Sequence, residues 1–301
     1  MNDKLRFKKI SKEDMEFLIP FFKYESGRSC DVSYGGILLW ADLYDYEYTI
    51  VESTLFIKGK SCDGSAKTVF YKPLGPMNLE LSVALLRDYC RSEGIGLEFL
   101  PIPEYSLEEF RMFNPKSVEE LYGYGDYIYD AEMLATLRGK KMSKKRNHVN
   151  RFQSEYPDWS YERLDRHNVP ELLDEMDLIE DECSQTDAAR IERELCRKFL
   201  REYGAGNENV VGGVLRVGGK VAAFAIGDMR GDTLFVQVEK ASRGINGSYE
   251  MICKLFASDM LKSYPSLKYI NREEDAGDPG LRKSKESYHP VKILRKYSVT
   301  L

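Results

Sequence analysis

Apolar and polar positions along this chain follow two rhythms, a helical one and an alternating one, and their order in the first part returns in the second. Residues 11–24 have helical spacing, with Ser11 as expected N-cap and Glu13 and Asp14 in the first turn. A Tyr-rich stretch, Tyr34 to Tyr48, reads as packing. Tyr48–Val51 and Leu55–Ile57 read as a hairpin, followed by a strand at Thr68–Tyr71 and the turn 73–76. Asn78 should cap a helix reaching Glu93, with Leu81, Leu85 and Tyr89 on one face. Gly94-Ile95-Gly96 ends it. Leu97–Ile102 is an apolar strand, Ser106–Phe113 a short helix, and Tyr127–Tyr129 another strand.

The second part repeats that order. A strand (Trp159–Leu164) and two helices (Val169–Cys183, Ala188–Tyr203) lead to a hairpin, Val210–Val217 and Lys220–Asp228, turning at Gly218-Gly219. Thr233–Glu239 should be a third antiparallel strand, Ser248–Tyr264 a helix, Leu267–Ile270 a strand and Val291–Val299 the last strand. Two similar α/β units in tandem follow, 1–130 and 131–301, the second opened by a basic linker helix at 140–155. Each should be a mixed, largely antiparallel sheet flanked by helices.

The composition, 43% hydrophobic and 12% aromatic in 301 residues, is that of a well-cored globular protein. No apolar run is long enough to cross a membrane and the N-terminus has no signal-like segment, so a cytosolic, soluble protein is expected. The six cysteines are scattered and the three histidines lack ligand spacing, so no metal is expected; no GxSxG elbow is present. Residues 1–130 hold 15 Lys+Arg against 22 Asp+Glu and residues 131–301 hold 29 against 27, balances of −7 and +2. An anionic ligand is therefore expected on the second unit.

Three segments there carry chemistry. Between two strands, Asn271–Pro290 joins an acidic cluster, a Gly-Asp-Pro-Gly turn and a basic turn; it reads as a site at a sheet edge or as a solvated loop. Asn271, Arg272, Glu273, Asp275, Arg282 and Lys285 are its candidate substrate contacts. In Lys140–Arg151, Lys140, Lys141, Lys144, Lys145, His148 and Arg151 fall within an arc of roughly 140° on a helix, leaving Met142 and Val149 beyond it. That stripe, with Lys141, Lys144 and Lys145, suits phosphates or a solvated linker. Arg243, Gly244, Asn246, Gly247 and Ser248 form a glycine-bearing turn at a strand-to-helix junction, an anion cradle or an ordinary cap.

The segments Asp126–Phe152 and Asn271–Tyr297 together resemble a bacterial family classed with the C-terminal domain of phosphatidylglycerol lysyltransferase. The resemblance covers nearly the whole chain. It implies a tandem GNAT-like (acyl-CoA N-acyltransferase) fold related to Fem-type peptidyltransferases, which take aminoacyl groups from aminoacyl-tRNA. Leu281, Lys285, Tyr288 and Pro290 match the Leu-x3-Lys-x2-aromatic-x-Pro ending of the lysyltransferases. The 243–248 turn lies where GNAT enzymes place their pyrophosphate loop, with Asn246 and Ser248 in the usual glycine positions.

An acyl- or aminoacyl-transferase is the expected function, with Glu239 as base, Tyr288 as acid, and acyl-CoA or aminoacyl-tRNA as donor to an amine or hydroxyl acceptor. No tightly bound cofactor is expected. A non-catalytic RNA- or tRNA-binding module, or a scaffold, is the alternative.

Overall fold

Two seven-stranded sheets organise the described residues. The computed structural model describes residues 5–61, 65–180, 187–201 and 207–301. Its backbone divides into residues 1–126 with 294–301, and residues 127–293.

The first unit opens with β1 (Lys8–Lys9) and α1 (Met15–Leu18), then α2 (Tyr34–Leu38). A hairpin follows, β2 (Glu47–Val51) and β3 (Thr54–Lys60), with β4 (Thr68–Phe70) beside it. The crossover helix α3 (Leu79–Glu93) leads to β5 (Glu98–Pro103), α4 (Leu107–Arg111) and β6 (Ser117–Glu120). The sheet order is β1-β2-β3-β4-β5-β14-β6, where β14 is the C-terminal strand Lys296–Thr300.

Three expectations are corrected here. The N-terminal helix is α-helical only over Met15–Leu18, and Pro20, which lacks a donor N–H, sits in the 3-10 turn that replaces the rest. Its N-cap is Asp14, not Ser11; the Asp14 carboxylate instead accepts from the Ser11 amide at 2.9 Å and hydroxyl at 3.0 Å. Asn78 does cap α3, accepting from the Leu81 amide, and Gly94 ends it at φ 67°. The helix buries Val83, Leu86 and Cys90, however, and leaves Leu81 56% exposed. The last strand is the third difference. It divides in two, and β14 pairs with β5 and β6 in the first sheet rather than completing the second.

The second unit begins at Tyr127 within β7 (Asp126–Asp130) and continues with α5 (Ala131–Thr136), α6 (Ser143–Glu155) and β8 (Ser160–Arg163). Helices α7 (Val169–Glu180) and α8 (Asp187–Phe199) follow; the expected helix ends at Cys183 and Tyr203 lie outside the described residues. Then come β9 (Val211–Val217), β10 (Lys220–Arg230), β11 (Thr233–Ala241), α9 (Ser248–Ser263), β12 (Tyr269–Asn271), α10 (Pro279–Glu286) and β13 (Lys292–Leu294). Gly218 and Gly219, at φ 59° and 80°, make the β9–β10 turn, a conformation L side chains resist.

The second sheet runs β13-β7-β12-β11-β10-β9-β8. Helix α9 lies on it, its Met251, Ile252, Phe256 and Met260 joining one core with Ala223, Ala225, Leu234 and Val236. Each of the larger of these side chains contributes roughly 1.5–3 kcal/mol of burial. From α6, Met142, Val149 and Phe152 enter the same core, which fixes the basic helix against α9.

Candidate functional site

Strands β11 and β12 are parallel, and their pairing stops early. Thr233, Leu234 and Phe235 pair with Tyr269, Ile270 and Asn271; the rest of β11, to Ala241, runs on without β12. The sheet therefore opens at the carboxyl ends of two parallel strands, the place where α/β sheets take ligands. A bulge in β11 turns it further: the β10 register steps from Ile226–Val238 to Gly227–Val236, leaving Gln237 as the extra residue.

Helix α9 starts at this opening. Its N-cap, Gly247, has φ 82°, and a Cβ there would lie 2.7 Å from the His148 carbonyl oxygen. Glycine thus lets the 243–248 turn lie directly on the backbone of α6. Ser248 is buried and donates its hydroxyl to Ser242 O at 2.9 Å. Three turn amides are used internally: Gly244 N to Ser242 Oγ, Ile245 N to Ser242 O and Ser248 N to Ile245 O. Arg243, Gly244 and Asn246 are exposed.

Five side chains from separate stretches of chain stack across the opening. Glu250 in α9 pairs with Lys145 in α6 at 3.1 Å. The Lys145 ammonium lies 3.9 Å from the centroid of the Tyr288 ring. The Arg272 guanidinium covers the same ring at 4.8 Å, and its Nη2 donates to Glu239 Oε1 at 2.6 Å. The series is acid, cation, phenol, cation, acid. Ammonium and guanidinium groups near a ring are attracted by its quadrupole, most strongly away from water. Tyr129 meets the Tyr288 ring edge-on, centroids 6.4 Å apart, and donates its hydroxyl to Lys285 O.

Burial sets the protonation states. It pushes the Glu239 carboxyl up, and the Arg272 and Lys285 charges pull it back only in part. It pushes the Tyr288 phenol well above its ordinary value, so the phenol keeps its proton. Arg272 stays a guanidinium: burial opposes the charge, and the neighbouring Cys253, Glu239 and tyrosines outweigh it. Cys253 is pushed up to about 12 by burial, so it is a thiol packed in the core and not a nucleophile. Arg272 Nη1 is buried and has no hydrogen-bond partner among the described residues.

Beneath the stack lies a supporting layer. Lys285, 8% exposed, points its ammonium at the carbonyls of Arg272 and Glu274. Asp275 accepts from the Tyr127 hydroxyl at 2.7 Å and from Arg282 Nε and Nη2 at 2.9 Å each. Asn271 Oδ1 accepts from the Glu273 amide at 2.7 Å. Asp278 caps α10 through the Leu281 amide. The charge between Asn271 and Pro290 thus holds a left-handed loop in shape, with Glu273, Ala276 and His289 at φ 55°, 49° and 52°.

Of the residues singled out in the sequence, Glu239, Tyr288, Arg272 and Lys145 come together. Asp275, Arg282, Lys285 and Asn271 support them. Lys141 and Lys144 stand exposed at the start of α6; neither they nor Arg243 has an ion-pair partner among the described residues. Glu250, Cys253, Tyr127 and Tyr129 were not singled out. Glu250 resembles any acid in a first helical turn, so only the tertiary pairing reveals it.

The family model described as phosphatidylglycerol lysyltransferase, C-terminal, matches residues 24–300. The chain belongs to that family. A solved structure of a conserved protein of unknown function from Bacteroides thetaiotaomicron is 33% identical over 99% of both chains, with a TM-score of 0.89. L-PGS from Bacillus licheniformis is 16% identical over 97% of this chain and 92% of its own, TM-score 0.64. FemX is 9% identical over 99% and 98%, TM-score 0.58, and shares the fold. An uncharacterised protein of Mycoplasmoides gallisepticum is 23% identical over 175 residues, 58% of this chain and 55% of that relative, so the match spans about half its length. Each of the two units of this chain is thus a mixed, largely antiparallel sheet flanked by helices, a fold shared with FemX. Among the described residues no helix is long and apolar enough to cross a membrane.

Proposed function

We propose that the chain is an aminoacyltransferase that moves an aminoacyl group from aminoacyl-tRNA to an amine or hydroxyl acceptor at the β11–β12 opening. The observation that carries this is the stack Glu250–Lys145–Tyr288–Arg272–Glu239. Acyl transfer needs a proton acceptor for the attacking group and a donor for the leaving oxygen. Glu239, raised by burial, is the acceptor. The neutral Tyr288 phenol is the donor to the leaving ribose oxygen. The acceptor's nitrogen or oxygen bonds to the carbonyl carbon while the ester C–O bond breaks, and Glu239 then returns a proton to the phenolate through solvent. The exposed cations Lys141, Lys144 and Arg243 flank the opening on α6 and the 243–248 turn, where they suit an RNA backbone.

An acyl-CoA donor is the second reading, favoured by the α9 N-terminus at the opening. The internal use of the Gly244, Ile245 and Ser248 amides counts against a full pyrophosphate cradle there.

Thermal stability against lysyl-tRNA, alanyl-tRNA, deacylated tRNA, acetyl-CoA and CoA separates the donors. A ligand at 100 times its Kd adds about 2.7 kcal/mol. Charged tRNA should shift the midpoint; a shift with CoA alone would move the donor to the GNAT class, and no shift with any would favour a scaffold. In single-turnover transfer from the responding donor, Tyr288→Phe should lose roughly 100-fold or more in rate while donor Kd holds. Equal losses in both would make Tyr288 structural.

A further inference from the structure

In the first unit, a buried cluster has no part in the proposed reaction. Lys296 in β14 is 2% exposed and Asp126 is fully buried. The Lys296 ammonium lies 2.6 Å from Asp126 Oδ1, 2.7 Å from Asp31 Oδ2 and 3.4 Å from Cys30 Sγ. Asp126 also accepts from the Cys30 amide at 2.9 Å and the Cys30 thiol at 3.2 Å. The ligand atoms of Cys30, Asp31 and Asp126 all lie within 4.8 Å of one another, a spacing that could hold a metal ion. The ammonium already sits among them as the cation, so a metal is disfavoured.

What remains is a thiol and an amine held together by a shared carboxylate. We infer that Cys30 and Lys296 form a reversible covalent crosslink, a sulfenamide, when the protein meets hydrogen peroxide. Peroxide converts the Cys30 thiol to a sulfenic acid and is itself reduced to water. Lys296 passes one proton to Asp126, and the amine attacks the sulfur. The S–N bond forms and the S–O bond breaks. The leaving hydroxide takes a second proton from the nitrogen and departs as water; the proton on Asp126 exchanges with solvent. Overall one thiol, one ammonium and one peroxide give the crosslink, two waters and a proton.

The geometry favours this end over simple thiol oxidation. Sulfenic acids condense with nitrogen nucleophiles held beside them, and here the nitrogen is in hydrogen-bond reach of the sulfur. The Asp31 side chain, 21% exposed, gives a small oxidant a way in. The bond would join residues 266 positions apart in sequence, tying β14 to the N-terminal part of its own unit. Crosslinks that close long loops restrict the unfolded chain strongly.

The test treats the full chain with hydrogen peroxide, blocks free thiols and maps peptides by mass spectrometry. The expected product is a linked pair carrying Cys30 and Lys296, lighter than the two peptides by two hydrogen atoms and separated again by dithiothreitol. A higher thermal midpoint should accompany it and vanish on reduction. Cys30→Ser keeps the ammonium pairs and should abolish both effects. Lys296→Met strands two carboxylates and could unfold the unit, so the serine variant carries the decision. Cys30 recovered unlinked, as thiol, sulfenic or sulfinic acid, would overturn the inference, and so would a link that retains an oxygen atom.

Discussion

Replacing Arg272 with methionine tests the electrostatic reasoning behind the stack. Glu239 and Arg272 have side chains only 9% and 12% exposed and bond at 2.6 Å. Methionine fills part of the volume and removes the charge, leaving the carboxylate buried without its partner. Breaking a buried pair in this way costs about 3–5 kcal/mol. The lower end applies, because the Lys285 ammonium also acts on Glu239. With a urea slope of about 2 kcal/mol per molar, the midpoint for the second unit should fall by about 1.5 M at pH 8. The sign with pH follows from the carboxyl. Burial already raises Glu239 in the folded state, and the variant raises it further. A raised acid is destabilising above its unfolded value, near 4.3, and that cost grows until pH passes the folded value. The penalty should therefore shrink from pH 8 toward pH 5, as Glu239 takes up a proton, and Glu239→Gln in the same chain should recover most of it. A penalty equal at both pH values, or one unaffected by Glu239→Gln, would mean that Arg272 does not stabilise the Glu239 charge.

Other expectations follow from single contacts. Gly247→Ala places a Cβ 2.7 Å from His148 O at φ 82° and should cost about 1–3 kcal/mol, read as a lower thermal midpoint. Burial would raise Asp275, but Arg282, Tyr127 and the Gly277 amide more than offset it and hold the carboxyl below the usual range. A depressed acid gives stability that is present above its unfolded value, near 3.9, and lost as pH falls through the folded one. Asp275→Asn should thus cost about 1–2 kcal/mol at pH 7, discounted because Arg282 is 43% exposed, and the difference from wild type should close below about pH 4. If tRNA binds at the α6 flank, Lys141→Ala with Lys144→Ala should flatten the log Kd against log salt slope by about 1.4–1.8; an unchanged slope places the RNA elsewhere.

The local elements of the second unit were largely legible because each carries its own signal. Gly218-Gly219 between alternating runs specifies a hairpin, and the glycine at 247 marks where α9 can begin. Asn78 and Gly94 bracket α3 in the same way. Pro20 was an equally local signal: it shortens the first helix, a consequence the helical spacing around it obscured. The buried face of α3 was harder, because Leu81, Leu85 and Tyr89 compete with Val83, Leu86 and Cys90 for the same helix, and only the sheet decides. No local feature says which sheet a strand joins. Val291–Val299 reads as one continuous strand, yet its two pieces pair with β7 and β5, far apart in sequence.

The same limit applies to the site. Glu239, Tyr288 and Arg272 were singled out by type and setting, and Lys145 only as one cation in a stripe. On an isolated helix Lys145 is equivalent to Lys141 and Lys144. What distinguishes it is that α6 buries Met142, Val149 and Phe152 against α9, and that burial turns Lys145 inward onto Tyr288 while its neighbours stay in water. Glu250 follows from the same packing, since it begins the helix that α6 lies on. The family's Leu-x3-Lys-x2-aromatic-x-Pro ending acquires a physical meaning in turn. Its lysine, Lys285, holds the Arg272 and Glu274 carbonyls, and its aromatic, Tyr288, is the ring between two cations. The motif fixes where Arg272 and Tyr288 meet, and the remaining stack is assembled by the hydrophobic contact of two helices. A substitution that loosens α6 from α9, such as Phe152→Ala, should therefore disturb Lys145 and Tyr288 before it disturbs the Arg272–Glu239 pair.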